Sequence, residues 1–382
     1  KREFPSHALL ISTTTQTGQR IAREVFRDDA EAIIYFPFDW AWTVRRALGK
    51  VDPSVMLIME TELWPNFLRE CRKRRVPTAI INGRLSERSF HRYQIIRSFT
   101  KRMVNDLDLA LMQTEADAER IRAMGLTPER VFVSGNVKFD AGRDEGAQAL
   151  TSTLRERFQF DDERPLIIAA STHSPEEKII LEAFKQIRSR NERARLLVAP
   201  RHPERFDEVA SLLESSGFSW SRRSAEPSAN DPVCDILLLD SIGELRAVYP
   251  LANLVFMGGS LAPVGGHNIL EPAAASVCTI TGPHTFNFKA IVEAFLEADA
   301  LVQLPTTPES DAPSALARVL VELLADENRR RTIAENARAV LERNRGATAL
   351  TIKLLAPLLA SARNRSERGE AERARANDAL SA

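Results

Sequence analysis

The chain has 382 residues, with 52 Lys and Arg balanced by 52 Asp and Glu. This length exceeds what one hydrophobic core usually holds, so two domains are expected, and the whole-chain charge favours no class of partner. The three cysteines are far apart, with no CxxC pair and no histidine spacing that suits zinc, which predicts unpaired thiols in a reducing compartment and no metal centre. No apolar run reaches the roughly 20 residues of a membrane span, and no signal peptide is recognisable.

Short apolar segments alternate with amphipathic ones along most of the chain. The first series of apolar segments reads HALLIST, EAIIYF, SVMLIM, TAIING, LALMQT and RVFVSGN, and the second reads PLIIAAS, RLLVAP, DILLLD, NLVFMGG, VCTITG and ALVQL. Such alternation is typical of parallel strands connected by helices on both faces of a sheet. The sequence therefore predicts an α/β protein of two doubly wound, Rossmann-like domains, in which ligands bind beyond the carboxyl ends of the strands.

Changes in composition divide the chain into segments. We expect a first domain over residues 1–145, a polar linker without strands over 146–161 and a second domain over 162–345. A helix over 346–360 follows, and then a tail over 361–382 that has too few large apolar side chains to pack and is expected to be disordered. The sequence opens KREFPSHALLIS, without an initiator Met and almost within a strand. We therefore expect the first strand and loop of the first domain to precede Lys1.

Two loops at predicted strand ends of the second domain combine prolines with polar residues. In AASTHSPEE, the spacing of Ser174, Pro175 and Glu177 fits a helical capping box, so this loop either only begins a well-capped helix or also contacts a ligand. In APRHPERF, Arg201 and His202 occupy a proline-bounded turn. Arg201 is there either a solvated surface residue or a ligand for a phosphate group.

The stretch FMGGSLAPVGGHNILEPAAAS, residues 256–276, contains two glycine pairs before a helix that is predicted to start at Asn268. Asn268 and Glu271 fit the N-cap and the third helical position, and glycines before a helix allow backbone N–H groups to meet an anion. The spacing differs from GxGxxG and from the P-loop, so it predicts a phosphate ligand in another type of cradle. For His267 we favour a ligand contact over a structural role. The aromatic loop TGPHTFNF, residues 281–288, either lines a nucleobase pocket or packs between the domains.

The first domain has its own polar segment and a strongly basic region. METELWPN places Glu60 and Glu62 just past a buried strand, where carboxylates are costly unless they are paired or functional. Between Asn66 and Arg102 there are eleven Lys and Arg against two acids, a net charge of +9. This region is a solvated helix face, a surface for anionic lipid or a phosphorylated acceptor, or a nucleic-acid site. We rank nucleic acid last because no binding motif for it is present.

Taken in chain order, eight segments resemble the 3-deoxy-D-manno-octulosonic acid (Kdo) transferases of lipopolysaccharide synthesis. They are STTTQTG, METELWPN, INGRLSERS, SGNVKFD, AASTHSPEE, APRHPERF, FMGGSLAPVGGHNILEPA and GPHTFNF, and the similarity spans roughly Leu9 to Leu359. The resemblance implies an inverting GT-B glycosyltransferase, with two Rossmann-like domains facing a central cleft. It also implies a CMP-Kdo donor, a lipid A precursor (lipid IVA) as acceptor, no cofactor and no metal. The expected location is the cytoplasmic face of the bacterial inner membrane, at an anionic lipid surface, with an anchor segment upstream and no nucleic-acid partner.

The resemblance also implies two sets of binding residues. The donor set is Ser171, Thr172, Arg201, His202, Gly258, Gly259, Ser260, Gly266, His267, Asn268 and Glu271. The acceptor set is Thr13, Thr14, Thr15, Glu60, Glu62, Trp64, Asn66, Arg84, Arg88 and Lys138. On this interpretation an Arg and helix N-termini stabilise the leaving CMP, Glu271 accepts from ribose hydroxyls, and the glycines of residues 258–266 let the donor phosphate approach the backbone.

The family's general base is expected in a Gly-Glu motif before the first strand of this chain, so no catalytic residue is assigned here. Glu60 or Glu62 is a conceivable substitute, but we expect both to support acceptor binding. As a polypeptide starting at Lys1, the chain is then expected to bind CMP weakly and to transfer Kdo poorly. Two alternatives stay open at this point. One is another GT-B enzyme, either a nucleotide-sugar epimerase or a lipid-disaccharide synthase, and the other is an inactive, membrane-associated protein that binds a sugar nucleotide.

Overall fold

A computed structural model describes residues 1–140, 145–161 and 163–360 of the chain. These residues form two compact units. The first contains residues 1–140 and 345–360, and the second contains residues 145–161 and 163–344. Both units are α/β structures with parallel strands, as the alternating pattern predicted. The expected tail over 361–382 lies outside the described residues.

The first unit contains all six strands that its sequence predicted, in two parallel sheets of order β1-β2 and β3-β4-β5-β6. Its elements are β1 (Leu10–Thr13), α1 (Gln16–Val25), β2 (Ala32–Tyr35), α2 (Ala41–Val51), β3 (Met56–Met59), α3 (Pro65–Lys73), β4 (Thr78–Gly83), α4 (Glu87–Ile95), α5 (Arg97–Val104), β5 (Leu109–Met112), α6 (Glu115–Ala123) and β6 (Val131–Val133). The helix over residues 347–360 also belongs to this unit. It places Leu355 and Leu359 against Ala79, Leu109 and Leu111 of the sheet.

The second unit has one parallel sheet of seven strands, in the order β13-β12-β11-β7-β8-β10-β9. Its strands are β7 (Leu166–Thr172), β8 (Arg195–Pro200), β9 (Trp220–Arg222), β10 (Ile236–Leu238), β11 (Leu254–Met257), β12 (Cys278–Thr281) and β13 (Val302–Gln303). Its helices are α7 (Glu145–Phe158), α8 (Glu176–Arg188), α9 (Phe206–Glu214), α10 (Leu245–Val248), α11 (Leu270–Ala274), α12 (Lys289–Glu297), α13 (Ala312–Ala325) and α14 (Glu327–Arg343). The three-residue strand β9 was not predicted.

The core of this unit lies between its sheet and the helices that cover it. Leu196 and Val198 of β8 pack in one cluster with Phe184 of α8 and Leu316 of α13. The strands are apolar on nearly every residue because both faces of a parallel sheet are buried.

Residues 146–161, expected to be a linker, mostly form α7 and pack onto the second unit. Phe158 is fully buried, and the Arg157 guanidinium pairs with Asp231 at 2.7 Å. A polar composition predicted a linker here, but a few buried aromatic side chains are enough to fix a helix whose other face is solvated.

The strand order of the second unit reverses beside β7. The chain proceeds from β7 to its neighbour β8 and outward, and then returns to place β11 on the other side of β7. In doubly wound sheets the loops at such a switch point diverge and leave a crevice outside the carboxyl ends of the strands. A ligand site is therefore expected at the loops after β7, β8 and β11.

In the first unit, Asp39 caps a helix that is distant in sequence. Helix α3 begins at Pro65, and no side chain of its own segment caps it. The Asp39 carboxylate accepts from the backbone N–H of Asn66 at 3.1 Å and of Phe67 at 2.8 Å. The Asn66 side-chain amide donates in return to the Asp39 carbonyl at 2.7 Å.

Replacing this cap should destabilise the first unit. We expect Asp39→Ala to lower the free energy of unfolding by about 1 kcal/mol, the usual loss for a helix cap. Urea denaturation followed by circular dichroism measures it. Asp52→Asn is the matched control, because Asp52 is an exposed residue in left-handed conformation that Asn also tolerates. Equal unfolding midpoints for the two variants would show that the cap contributes nothing.

Candidate functional site at the strand ends of the second unit

The carboxylate of Glu176 joins the loops that follow β7 and β11. Glu176 is fully buried, and its two oxygens accept five backbone hydrogen bonds. The donors, at 2.7 to 3.1 Å, are the N–H groups of His173, Gly259, Ser260, Leu261 and Ala262. Burial raises the pKa of this carboxyl above its ordinary value, and the surrounding N–H donors act in the opposite direction. A row of N–H groups of this kind is an anion-binding nest, and the chain fills it with its own side chain.

The glycines of the β11 loop make room for the protein itself. A Cβ atom on Gly258 would lie 2.6 Å from the carbonyl oxygen of Ser171, and one on Gly259 would lie 2.9 Å from the His267 ring. A Cβ on Gly266 would lie 3.3 Å from the carbonyl oxygen of His284. The close approach that these glycines permit is thus an approach of protein atoms, and it needs no donor phosphate.

The predicted capping box at the start of α8 is wrong. The helix begins at Glu176 after Pro175, with no side-chain cap, and Ser174 is exposed. Glu177 instead accepts from the Arg205 guanidinium at 2.7 and 3.1 Å and from the Thr172 hydroxyl at 2.8 Å. A bidentate arginine is a stronger partner for a buried carboxylate than the first N–H group of its own helix.

Two residues of the predicted donor set are engaged inside the protein. Thr172 is fully buried and donates to Glu177, while the buried Ser260 accepts from the backbone N–H of Gly282 at 2.7 Å. Their hydroxyl groups therefore hold the loops in place. Ser171, partly exposed at the end of β7, has a positive φ of 54°.

Three histidines meet above this buried network. The Nε2 atoms of His173 and His267 are 2.8 Å apart and their ring planes differ by 8°. The His202 ring stands edge-on to His173, with centroids 5.0 Å apart. Burial, His173 and the nearby Arg201 and His202 lower the pKa of His267 to about 4, and burial with His202 lowers the pKa of His173. Both imidazoles are therefore neutral at pH 7 when no ligand is bound.

The remaining donor-set residues, Arg201, Asn268 and Glu271, lie on the loops after β8 and β11 and on helix α11. Arg201 is exposed after β8, and among the described residues its guanidinium has no hydrogen-bond or ion-pair partner. Helix α11 has five residues and begins at Leu270 after Ile269, so the predicted start at Asn268 is wrong. The Asn268 side chain accepts from the N–H of Leu270 at 3.1 Å, which turns the chain into the helix. Glu271 is ion-paired with Arg246 at 3.0 Å.

The first unit has a separate pocket, of about 300 Å³, at the ends of β3 and β4. It gathers three residues of the predicted acceptor set, Glu60, Glu62 and Arg84, with residues that sequence reasoning missed. The missed lining residues are Met59, Thr61, Leu85, Ser86, Ser89 and Tyr93. The Thr61 hydroxyl donates to the Arg84 carbonyl and accepts from its N–H at 3.0 Å, so it fastens the two loops together.

Other acceptor-set residues adjoin this pocket or lie apart from it. Lys138 is 3.8 Å from Glu60, and the Trp64 indole N–H donates to Glu62 at 3.1 Å. Arg88 is exposed on α4. The threonines serve the turn before α1. Thr15 caps that helix, Thr13 donates to Gln19 at 2.6 Å, and Thr14 is exposed.

Among the described residues, no helix is both long and apolar enough to cross a membrane. Nor do those residues include a group of three or more His, Cys, Asp or Glu side chains that could hold a metal ion.

The fold is that of the GT-B glycosyltransferases and nucleotide-sugar epimerases. Anabaena HepE in complex with UDP superimposes with a TM-score of 0.57 at 16% identity, covering 92% of each chain. The UDP-GlcNAc 2-epimerase of Neisseria meningitidis gives a TM-score of 0.54 at 11% identity, covering 93% of this chain and 94% of that one. Identities this low indicate the fold alone.

The chain belongs to the 3-deoxy-D-manno-octulosonic acid transferases. It is 34% identical over 359 residues to the enzyme of that name from Haemophilus influenzae, covering 94% of this chain and 82% of the relative. It is also 34% identical over 355 residues to the Bordetella pertussis enzyme, at 91% and 80% coverage. The sequence profile of the family described as 3-Deoxy-D-manno-octulosonic-acid transferase (kdotransferase) matches residues 1–141. These similarities confirm the predicted family and the predicted GT-B fold. They also confirm the predicted activity, which is the transfer of Kdo by a glycosyltransferase of lipopolysaccharide synthesis.

Sequence reasoning missed His173 and Glu176, although both stand in the quoted segment AASTHSPEE. Two adjacent glutamates in the first turn of a helix were the available signal. Only one of them can serve as the third residue of a capping box, so the other needs a partner elsewhere.

Removing the charge of Glu176 should destabilise the second unit. Glu176→Gln replaces one acceptor oxygen by an amide N–H that points at N–H donors, so we expect the free energy of unfolding to fall by about 3 kcal/mol. Urea denaturation measures this fall. Glu182→Gln is the matched control, since Glu182 is exposed on the same helix. Equal stability of the two variants would refute a structural role for the carboxylate.

The lowered pKa of His267 also predicts a pH dependence. Between about pH 6.5, the ordinary value, and about pH 4, the unfolded chain binds a proton that the folded chain excludes. The free energy of unfolding should therefore fall as the pH is lowered through this window and level off near its lower end. The thermal midpoint of wild type should fall more steeply over this range than that of His267→Asn. Parallel curves would contradict the prediction.

Proposed function

We propose that this Kdo transferase binds CMP-Kdo at the switch point of its second unit and transfers Kdo to a hydroxyl of a lipid A precursor bound by its first unit. One observation carries the donor half of the proposal. The loops after β7, β8 and β11 bring Arg201, His202 and His267 to the sheet edge where ligands of this fold bind. A charged guanidinium and polarisable imidazoles there suit a ligand that carries both a phosphate and a carboxylate.

Arg201 is the proposed contact for the CMP phosphate. Its guanidinium is exposed and has no partner among the described residues, whereas Arg205 on the same loop is held by Glu177 and Glu208. A positive charge at this position stabilises the phosphate as the bond to Kdo breaks. Glu271, oriented by Arg246, is proposed to accept from ribose hydroxyls, beside Asn268.

The first-unit pocket is proposed to hold the sugar head of the acceptor. Glu60 and Glu62 can accept hydrogen bonds from sugar hydroxyls, while Arg84 and Lys138 supply positive charge for a phosphate substituent. The Lys138 Nζ lies 3.8 Å from the Glu60 carboxylate, at the edge of the same pocket. We assign these residues to acceptor binding and name no general base among them.

The same unit carries a surface that suits an anionic membrane. At the corner between α4 and α5, Ile95, Ile96 and Phe99 are 83%, 50% and 52% exposed. The segment over residues 88–104 has no acidic residue and five exposed cationic ones, which are Arg88, Arg92, Arg97, Lys101 and Arg102. Apolar side chains among cations fit the boundary between acyl chains and anionic headgroups. We therefore propose that this corner rests on the cytoplasmic face of the inner membrane.

The geometry of the corner relates this surface to the acceptor pocket. Tyr93 and Phe90, on the opposite side of α4, pack against the core of the unit, and Tyr93 also lines the pocket. The Thr100 hydroxyl donates to the Tyr93 carbonyl at 3.0 Å and fixes the two helices at the bend. A lipid whose acyl chains stay in the bilayer could thus present its sugar head to the pocket.

Arg201→Ala tests the donor site. We expect the Kd for CMP to rise about tenfold or more, the loss typical of one charge-assisted hydrogen bond, and Kdo transfer from CMP-Kdo to lipid IVA to fall with it. Isothermal titration calorimetry and a transfer assay measure the two effects. Arg190→Ala is the control, because Arg190 is exposed beyond the carboxyl end of α8. The proposal fails if both variants bind CMP equally, or if wild type binds UDP as tightly as CMP.

Ile95→Asp tests the membrane surface. Placing a negative charge at the most exposed apolar residue of the corner should reduce binding to phosphatidylglycerol vesicles about tenfold, with little binding of any variant to phosphatidylcholine. Vesicle co-sedimentation measures the bound fraction. Val233→Asp, at an exposed apolar residue of the second unit, is the control. Equal losses in the two variants would rule out this surface.

A further inference from the structure

The hydrogen bond between His173 and His267 joins the two loops of the switch point directly. His173 follows β7 and His267 follows β11, so the pair bridges the two sides of the crevice in which ligands of doubly wound sheets bind. A contact of 2.8 Å between two Nε2 atoms requires a proton on one nitrogen and a lone pair on the other. The pair therefore holds one proton between two nearly coplanar rings and can accept a second on a ring nitrogen.

The charged groups that face the pair leave it in a positive environment. On the β7 side, Glu177 is neutralised by Arg205 and Glu176 is enclosed by five N–H groups. On the β8 side stand Arg201 and His202, and the nearest acid to His202, Glu204, is 3.7 Å from its Nδ1.

Both acids beneath the pair thus have internal partners, while Arg201 has none among the described residues. Burial and this imbalance together keep the unliganded pair neutral, because burial disfavours a second proton and Arg201 and the other imidazoles repel it. An anion bound beside Arg201 would instead attract a second proton to the pair.

We propose that His173 and His267 form an anion subsite for the phosphate or carboxylate group of the donor, and that the pair takes up one proton from solvent when the anion binds. No covalent bond forms or breaks in this step. The imidazolium–imidazole pair that results has a charge-assisted hydrogen bond, and it presents positive charge to the ligand from both loops at once. This proposal rests on the proposed donor site and adds to it the residue His173 and a proton.

Proton uptake has a definite consequence for affinity. If the bound protein carries one proton more than the free protein, the Kd for CMP falls as the pH is lowered, by up to about tenfold for each pH unit between the free and the bound pKa of the pair. The titration of CMP itself contributes equally to wild type and to a variant that lacks one imidazole, so the difference between them isolates the pair.

Histidine side-chain NMR of the wild-type chain tests the proposal most directly. The imidazole pKa values of all six histidines are measured free, with CMP, with inorganic phosphate and with cytidine. We expect CMP and phosphate to raise the pKa of the His173–His267 pair by at least about one unit, and cytidine to leave it unchanged. His7 and His91, in the first unit, serve as internal controls.

Calorimetry of CMP binding in two buffers of different ionisation enthalpy gives the second readout. Wild type should take up close to one proton more than His267→Asn at the same pH.

Each outcome separates this proposal from the proposed function. CMP binding without a change in the pair, or an equal rise with cytidine, overturns the proton-accepting subsite and leaves the donor site standing. A rise with phosphate in a protein that does not bind CMP supports the subsite and refutes the donor. Absence of binding by both ligands refutes both.

Discussion

The buried carboxylate of Glu176 is the interaction on which the second unit's site depends. It accepts hydrogen bonds from five backbone N–H groups on two loops that are about eighty residues apart in sequence. These bonds hold both loops in place at the strands that flank the switch point. Buried N–H groups without a partner carry a desolvation cost, so this carboxylate stabilises the observed conformation of the glycine-rich loop after β11. An internal anion here does what a bound phosphate does in other glycine-rich loops.

The neighbouring Glu177 connects a second pair of loops. Glu177 holds Arg205 and Thr172, which ties the β8 loop to the end of β7. With both acids matched inside the protein, the groups left facing outward are the guanidinium of Arg201 and the imidazoles of the histidines. The network therefore leaves the Arg201 guanidinium as an exposed positive charge beside neutral imidazoles, which suits an anionic ligand.

Sequence reasoning predicted the family and every strand except β9, because motif order and strand periodicity are local properties. It did not reach the partner of each carboxylate. Glu176 and Glu177 are adjacent, and the choice between capping α8, bonding Gly259 and pairing with Arg205 is made by loops brought together only in the folded sheet. The five-residue helix α11 and the three-residue strand β9 are too short to produce a period. The cap of α3 in the first unit could not be predicted either, because Asp39 is distant in sequence from the helix that it caps.

The measurement that bears most directly on this arrangement is amide hydrogen exchange of residues 259–262 with and without CMP. If the Glu176 carboxylate occupies these N–H groups, they exchange as slowly as those of strands β7 and β11 before any ligand is added, and CMP slows them no more than it slows those strands. Fast exchange in the free protein, with protection appearing only when CMP binds, would show instead that the glycine-rich loop is a cradle for the ligand phosphate.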